Sequence, residues 1–155
     1  MKVHTYEKAF LVAGAAVLIV CMAALAYAAV ALGIQLPGRV AEVDPRRLAT
    51  TAPFDHPGVR QTGPASYAAV VVGRVWSFDP PTIVVPRDAD VTFVGTSADV
   101  LHGFHVGDTR VNVMLIPGQV TRVTHRFHEP GEYLLLCHEY CGLGHHTMAG
   151  KVVVR

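Results

Sequence analysis

Charge is scarce in this sequence. Its 155 residues carry 13 Lys and Arg against 12 Asp and Glu, a formal net charge of +1. No basic stripe is present, so the electrostatic footprint of a nucleic-acid binder is missing and nucleic acid is excluded as a partner. Cysteine is scarce as well. Three residues are too few for the disulfide framework that staples small secreted domains. Tryptophan occurs once, as Trp76, and there is no internal repeat. One absence is local: residues 9–36 contain no Asp, Glu, Lys, Arg or His.

That uncharged run is the first positive feature. About 20 apolar residues suffice to cross a bilayer as a helix. The run predicts a transmembrane helix from about residue 8 to about residue 34, ended by Pro37 and Gly38. It shows no polar face, which argues against a helix buried in a soluble core. A cleaved signal peptide is the competing reading, because small residues at 24–28 imitate a cleavage site. A signal h-region, however, spans only about 7–15 residues. Lys2 and Lys8 precede the run, and Arg39, Arg46 and Arg47 follow it, so basic flanks do not orient it. The chemistry of the C-terminal part suits an outer compartment.

Three regions are expected: a tail with the transmembrane helix over 1–36, a linker over 37–62 rich in proline and mixed charge, and a folded domain over 63–155. In the last region, short β-branched runs alternate with turn residues. The pattern predicts strands at 67–75, 82–85, 91–95, 104–106, 111–115, 120–127, 132–137 and 151–154. Many short strands at this spacing predict a mainly β fold, a sandwich or barrel.

The richest chemistry lies between the last two predicted strands. Cys137, Cys141, His145 and Met148 form a C-x3-C-x3-H-x2-M array. Thiolate and thioether are soft ligands and imidazole is borderline, a set that suits copper and not Mg or Ca. A mononuclear blue-copper site uses two His, one Cys and a weak axial Met. His102, in the segment Asp99-Val100-Leu101-His102-Gly103-Phe104, supplies the second imidazole from an expected tight turn. The second cysteine is then surplus to one copper, and two thiolates can bridge two metal ions. A Cys137–Cys141 disulfide is the plain alternative, but it leaves His145 and Met148 without a role. Structural zinc accepts Cys2His2, yet gives no reason for Met148. Cys21, within the apolar run, reads as a small packing residue.

The loop C-x-E-x-C-G-x-G-H-x-x-M with an upstream D-V-x-H-G-F resembles the binuclear copper (CuA) domain of subunit II of haem-copper cytochrome c oxidases. The resemblance spans nearly the whole chain, and a single helix is closer to the B-type than to the two-helix A-type subunit. It implies a cupredoxin-like Greek-key fold. It also implies two copper ions with Cys137 and Cys141 as bridging thiolates, and His102 and His145 as one imidazole per copper. Met148 and the backbone carbonyl of Glu139 would be the weak ligands. The implied role is to accept electrons from a c-type cytochrome or small copper protein and pass them to haem in subunit I, where oxygen is reduced and protons are pumped. The chain would sit in the cell membrane as a single-pass protein with its soluble domain outside, and would do no oxygen chemistry alone.

The same resemblance suggests that the Glu139 side chain binds Mg at the subunit interface, and that electrons enter through an exposed aromatic patch at Trp76 and Phe78. Tyr140 would help to exclude water. His105, His138, His146, His125 and His128 read as surface or supporting histidines, and His4 and His56 carry no signal. Beyond residue 37 there are 11 Lys and Arg and 11 Asp and Glu, so donor docking is expected to rest on apolar contact with weak long-range steering. Two other functions share these motifs: a copper-bearing subunit of a nitric oxide reductase and a membrane-anchored copper chaperone. Chaperones of the C-x3-C kind resemble thioredoxin, and the helical patterns that would require are missing here.

Overall fold

The structure is a computed structural model that describes residues 4–32 and 41–155. The chain divides into two compact units, Met1–Leu36 and Pro37–Arg155.

In the first unit, helix α1 spans Thr5–Val30. Glu7 reaches back to the His4 backbone N–H (2.8 Å), closing the first turn. None of its residues is buried, and its apolar side chains point outward on every side. At 1.5 Å per residue, 26 residues extend about 39 Å, more than the roughly 30 Å of a bilayer core. The expected end near residue 34 and the Pro37–Gly38 break fall outside the described residues.

The second unit is a two-sheet β-sandwich. One sheet contains β1 (Ala41–Glu42), β2 (Gly58–Gly63), β3 (Ser66–Arg74), β4 (Ser77–Asp79), β6 (Asp90–Ser97) and β9 (Gln119–Arg126). Its order is β1-β9-β6-β3-β2, with β4 paired to β3. The other holds β5 (Thr82–Val85), β7 (His102–Val106), β8 (Asn112–Leu115), β10 (Gly131–Leu136) and β11 (Ala149–Val154), in the order β5-β11-β10-β7-β8. Pairs β3–β6 and β5–β11 are parallel; the others are antiparallel.

Strand periodicity decides which side chains fill the space between the sheets. Val71, Val91, Phe93, Phe104, Leu135 and Val152 meet there, and Phe104 contacts the rings of Phe78 and Phe93. Each such side chain contributes about 1.5–3 kcal/mol on burial. Cys137, Cys141 and Met148 belong to the same cluster. The loop from Cys137 to Met148 therefore closes one end of the core and is held by it.

The segment 37–62, expected as a linker, contributes to the sandwich in its described part. Ala41 and Glu42 pair with β9, and Gly58–Gly63 pairs with β3. Between them lies a 3-10 turn, Pro45–Thr50, whose Asp44 cap accepts from the Arg46 N–H. Leu48 and Phe54 bury themselves against Val70, Val72 and Val94, on the face of β3 and β6 away from the main core. That is why residues 69–73 are buried on both faces. The anchors are single apolar residues among prolines and charges, so no periodic signal announces them.

Candidate metal centre

Strand β7 begins at His102, so the imidazole sits on the strand and not in a turn before it. It is completely buried. Its Nε2–H donates to Asp99 Oδ1 at 2.8 Å. This fixes the tautomer and turns Nδ1 toward Cys137 Sγ, 4.0 Å away. Asp99 is itself held in place: Oδ2 accepts from Val75 N–H (2.8 Å) and Oδ1 from Val100 N–H (2.7 Å). Burial pushes the Asp99 carboxyl up, but hydrogen bonds from His102, Val75 and Val100 outweigh it and hold it below its usual range.

The loop between β10 and β11 carries the remaining donors. Cys137 N–H donates to the Met148 carbonyl at 3.2 Å, which closes the loop at its base. The 3-10 turn His145–Thr147 positions His145 and leads into Met148. Cys137 and Cys141 are free thiols with sulfurs 3.7 Å apart, so the disulfide alternative does not hold here. Cys141 Sγ lies 3.6 Å from His145 Nδ1 and 3.7 Å from Met148 Sδ. Cys137 Sγ lies 3.2 Å from the Glu139 carbonyl oxygen. Burial and the adjoining Cys137 thiol push the Cys141 thiol up to about 11 in the metal-free chain. A metal must displace that proton, because thiolate is the ligating form.

The loop's outer wall is aromatic. Trp76, 41% exposed, donates its Nε1–H to the Cys141 carbonyl at 3.2 Å. Its ring lies so close over Gly144 that a Cβ there would come within 2.4 Å of it. Gly142 has φ +116°, a conformation that L side chains rarely adopt. These two glycines let the loop fold beneath the indole. Tyr140 contacts the His145 ring with centroids 5.8 Å apart.

Not every expected residue is at this surface. Phe78, expected with Trp76 where electrons enter, is 1% exposed and packs edge-on against Phe104. Alternation along β4 sends it inward, so it cannot touch a docking protein. Among the described residues, the one group of three or more His, Cys or carboxylate donors close enough for a shared ion is His102, Cys137 and Cys141, and the Glu139 side chain is not part of it. Asp99 and the two glycines under Trp76 were missed by sequence reasoning. An Asp three residues before a metal-type His was the available signal.

Two thiols, two imidazole nitrogens, a thioether and a carbonyl oxygen, gathered at the end of a rigid sandwich, fit copper. Comparison with known proteins agrees. Residues 71–155 match the periplasmic domain of cytochrome c oxidase subunit II. Cytochrome c oxidase subunit 2 of Thermus thermophilus is 41% identical over 154 residues, covering 97% of this chain and 92% of the relative. A chain from a heme-copper terminal oxidase dimer superposes with a TM-score of 0.79 at 35% identity, covering 97% of this chain and 99% of that one. The periplasmic domain of subunit II from Bradyrhizobium japonicum shares the fold, with a TM-score of 0.52 at 20% identity over 57% of this chain and 83% of that one. The apolar helix and the matched periplasmic domain describe a membrane-anchored protein with an outward cupredoxin-like domain, a component of an oxidoreductase complex. A copper-type donor set on that domain, and relatedness along almost the full chain, place the chain in the cytochrome c oxidase subunit II family.

Proposed function

We propose that this chain is the subunit through which electrons enter a terminal respiratory oxidase. The observation that carries the proposal is the paired donor geometry. Two thiol sulfurs stand 3.7 Å apart, and each has its own imidazole Nδ1, His102 at 4.0 Å and His145 at 3.6 Å. That arrangement supports two copper ions bridged by Cys137 and Cys141, with one histidine on each. Met148 and the Glu139 carbonyl would complete the set as weak ligands. Such a centre takes up and releases one electron at a time.

The chain's own residues supply rigidity and access. His102 is held by Asp99, and the loop is closed by Cys137 and Met148 and covered by Trp76. Ligands held this firmly move little between oxidation states. The donor would be a c-type cytochrome or a small copper protein. It would meet an apolar rim of Val75, Trp76, Val100, Tyr140 and Leu143, all exposed. The Trp76 indole, hydrogen-bonded to the Cys141 carbonyl, gives electrons a short route to the thiolates. They would pass on to haem in subunit I, where oxygen is reduced to water with proton pumping. The chain itself would be non-catalytic. Its place would be the cell membrane, with the copper domain outside. The Glu139 side chain would hold Mg only at the interface with subunit I.

Copper loading of the full chain in detergent tests this reading. The expected product is a purple, mixed-valence centre with two coppers per chain. A single blue Cu(II) centre, or a colourless zinc protein, overturns it. Balanced charge predicts a donor reaction that changes little between low and high salt; a steep fall would replace the apolar rim with an ionic one.

A further inference from the structure

The sheet face behind the buried thiols carries a second group of metal-type side chains. Along β7, His102, Phe104 and Val106 point into the sandwich, while Gly103 and His105 lie on the outer face. Across the ladder, Gly103 pairs with Met114 and His105 with Asn112, so Met114 shares that face. His138, the residue after Cys137, is exposed and lies over Gly103. A Cβ at 103 would fall 2.6 Å from the His138 backbone nitrogen and 2.7 Å from its ring, so the absence of a side chain there lets both the backbone and the imidazole of His138 settle against β7. The His105 and His138 rings stand edge to face with centroids 6.3 Å apart.

His105 is oriented as a metal ligand would be. Its Nδ1–H donates to the Val111 carbonyl at 3.2 Å, which leaves the Nε2 lone pair available. The His138 ring makes no hydrogen bond among the described residues and can turn to meet it. With metal–nitrogen bonds of about 2.0–2.1 Å, rings 6.3 Å apart can share one ion only with their nitrogens nearly opposite across it, so the exposed His138 side chain must swing to aim a nitrogen at the ion. Two imidazoles beside a thioether select copper among the common divalent metals, both by ligand softness and by the order of intrinsic affinities.

We propose that His105 and His138, with Met114 beside them, form a solvent-facing site for a single copper ion, separate from the Cys137–Cys141 centre. The site uses none of the donors assigned to that centre, so it stands or falls independently of the binuclear reading.

The test begins with full-length chain in detergent, already loaded at the cysteine centre. A further equivalent of Cu(II) is added and followed by EPR. The expected result is one additional copper per chain, with a signal split by two imidazole nitrogens. His105→Gln and His138→Gln should each weaken it by at least about tenfold, since even outer-shell partners of ligating histidines are worth 10–100-fold in metal affinity. The optical spectrum of the cysteine centre serves as the folding control and should not change. A repeat in Cys137→Ser/Cys141→Ser separates the two claims, because the extra signal should persist there with the same histidine dependence. Absence of the extra copper in the wild-type chain overturns the proposal. So does a His105→Gln/His138→Gln double variant that still binds it with wild-type affinity.

Discussion

The two halves of the metal centre are built by different means. His102 belongs to a strand: it is fully buried, fixed by the ladder of β7, and bonded to a carboxylate that also holds Val75 and Val100. Cys141, His145 and Met148 belong to a loop with one short 3-10 turn, and His145 is only partly buried, beside Tyr140. The strand half owes its geometry to the fold. The loop half owes its geometry to the core that buries Cys141 and Met148, to two glycines and to an indole overhead. Cys137 stands at the junction, at the end of β10.

The largest expected break removes what the halves share. Cys141→Ser deletes one of two bridging thiolates, and a hydroxyl is no substitute for a soft bridge. The purple binuclear signal should be lost completely, with at most one copper retained near Cys137 and His102. Two coppers per chain in this variant, counted by metal analysis, would mean that the halves do not meet through both thiolates.

Next in size is a change confined to the strand half. Asp99→Ala leaves His102 Nε2 buried without a partner, at a cost of about 1–3 kcal/mol. Loss of an outer-shell partner should also weaken copper binding by about 10–100-fold. Thermal unfolding of the metal-free chain reads the first effect and copper competition the second. If stability falls but copper affinity holds, Asp99 supports the strand alone.

A gentler change addresses the loop half. Met148→Leu nearly conserves volume in a buried position, and such swaps usually cost less than about 1.5 kcal/mol. Both coppers should remain, with a shifted reduction potential, because a weak axial thioether tunes the metal more than it holds it. Redox titration checks this. Loss of copper would show the loop half to depend on Met148 as strongly as the strand half depends on His102.

This contrast also explains what could be read in the sequence. The loop half was legible because its donors lie within twelve residues and a spacing motif records them. The sandwich was legible because β3, β6, β9 and β11 are short runs rich in β-branched residues, set off by turn residues. Phe78 misled because it lies only two residues from Trp76, yet Trp76 stands in the turn between β3 and β4 and is part-exposed, whereas Phe78 lies on β4 and points into the core. The lid formed by Leu48 and Phe54 left no pattern, since two lone anchors six residues apart, with Pro53 between them, have no period. Asp99 was visible as part of a motif, but its bond to His102 is a matter of three-dimensional reach.

The smallest effect is a titration, and it separates the halves by sign. In the metal-free chain the Asp99 carboxyl is held below its ordinary value of 3.8, so its contribution is present above that pH and is lost as acid protonates it. The Cys141 thiol is raised from 9.0 to about 11, so its contribution is present below pH 9 and is lost as pH climbs toward 11. Stability measured against pH should therefore show an acid arm from the strand half and an alkaline arm from the loop half. Asp99→Ala should shrink the first, leaving the part that comes from Asp88 beside His128 and Asp90 beside Arg126, and should not touch the second; Cys141→Ser should flatten the second and leave the first. Copper should remove the alkaline arm, because the bound thiolate has no proton left to lose. A single variant that flattens both arms would show that the carboxylate and the thiol titrate as one coupled unit across Cys137 and His102, and the division into strand and loop halves would fail.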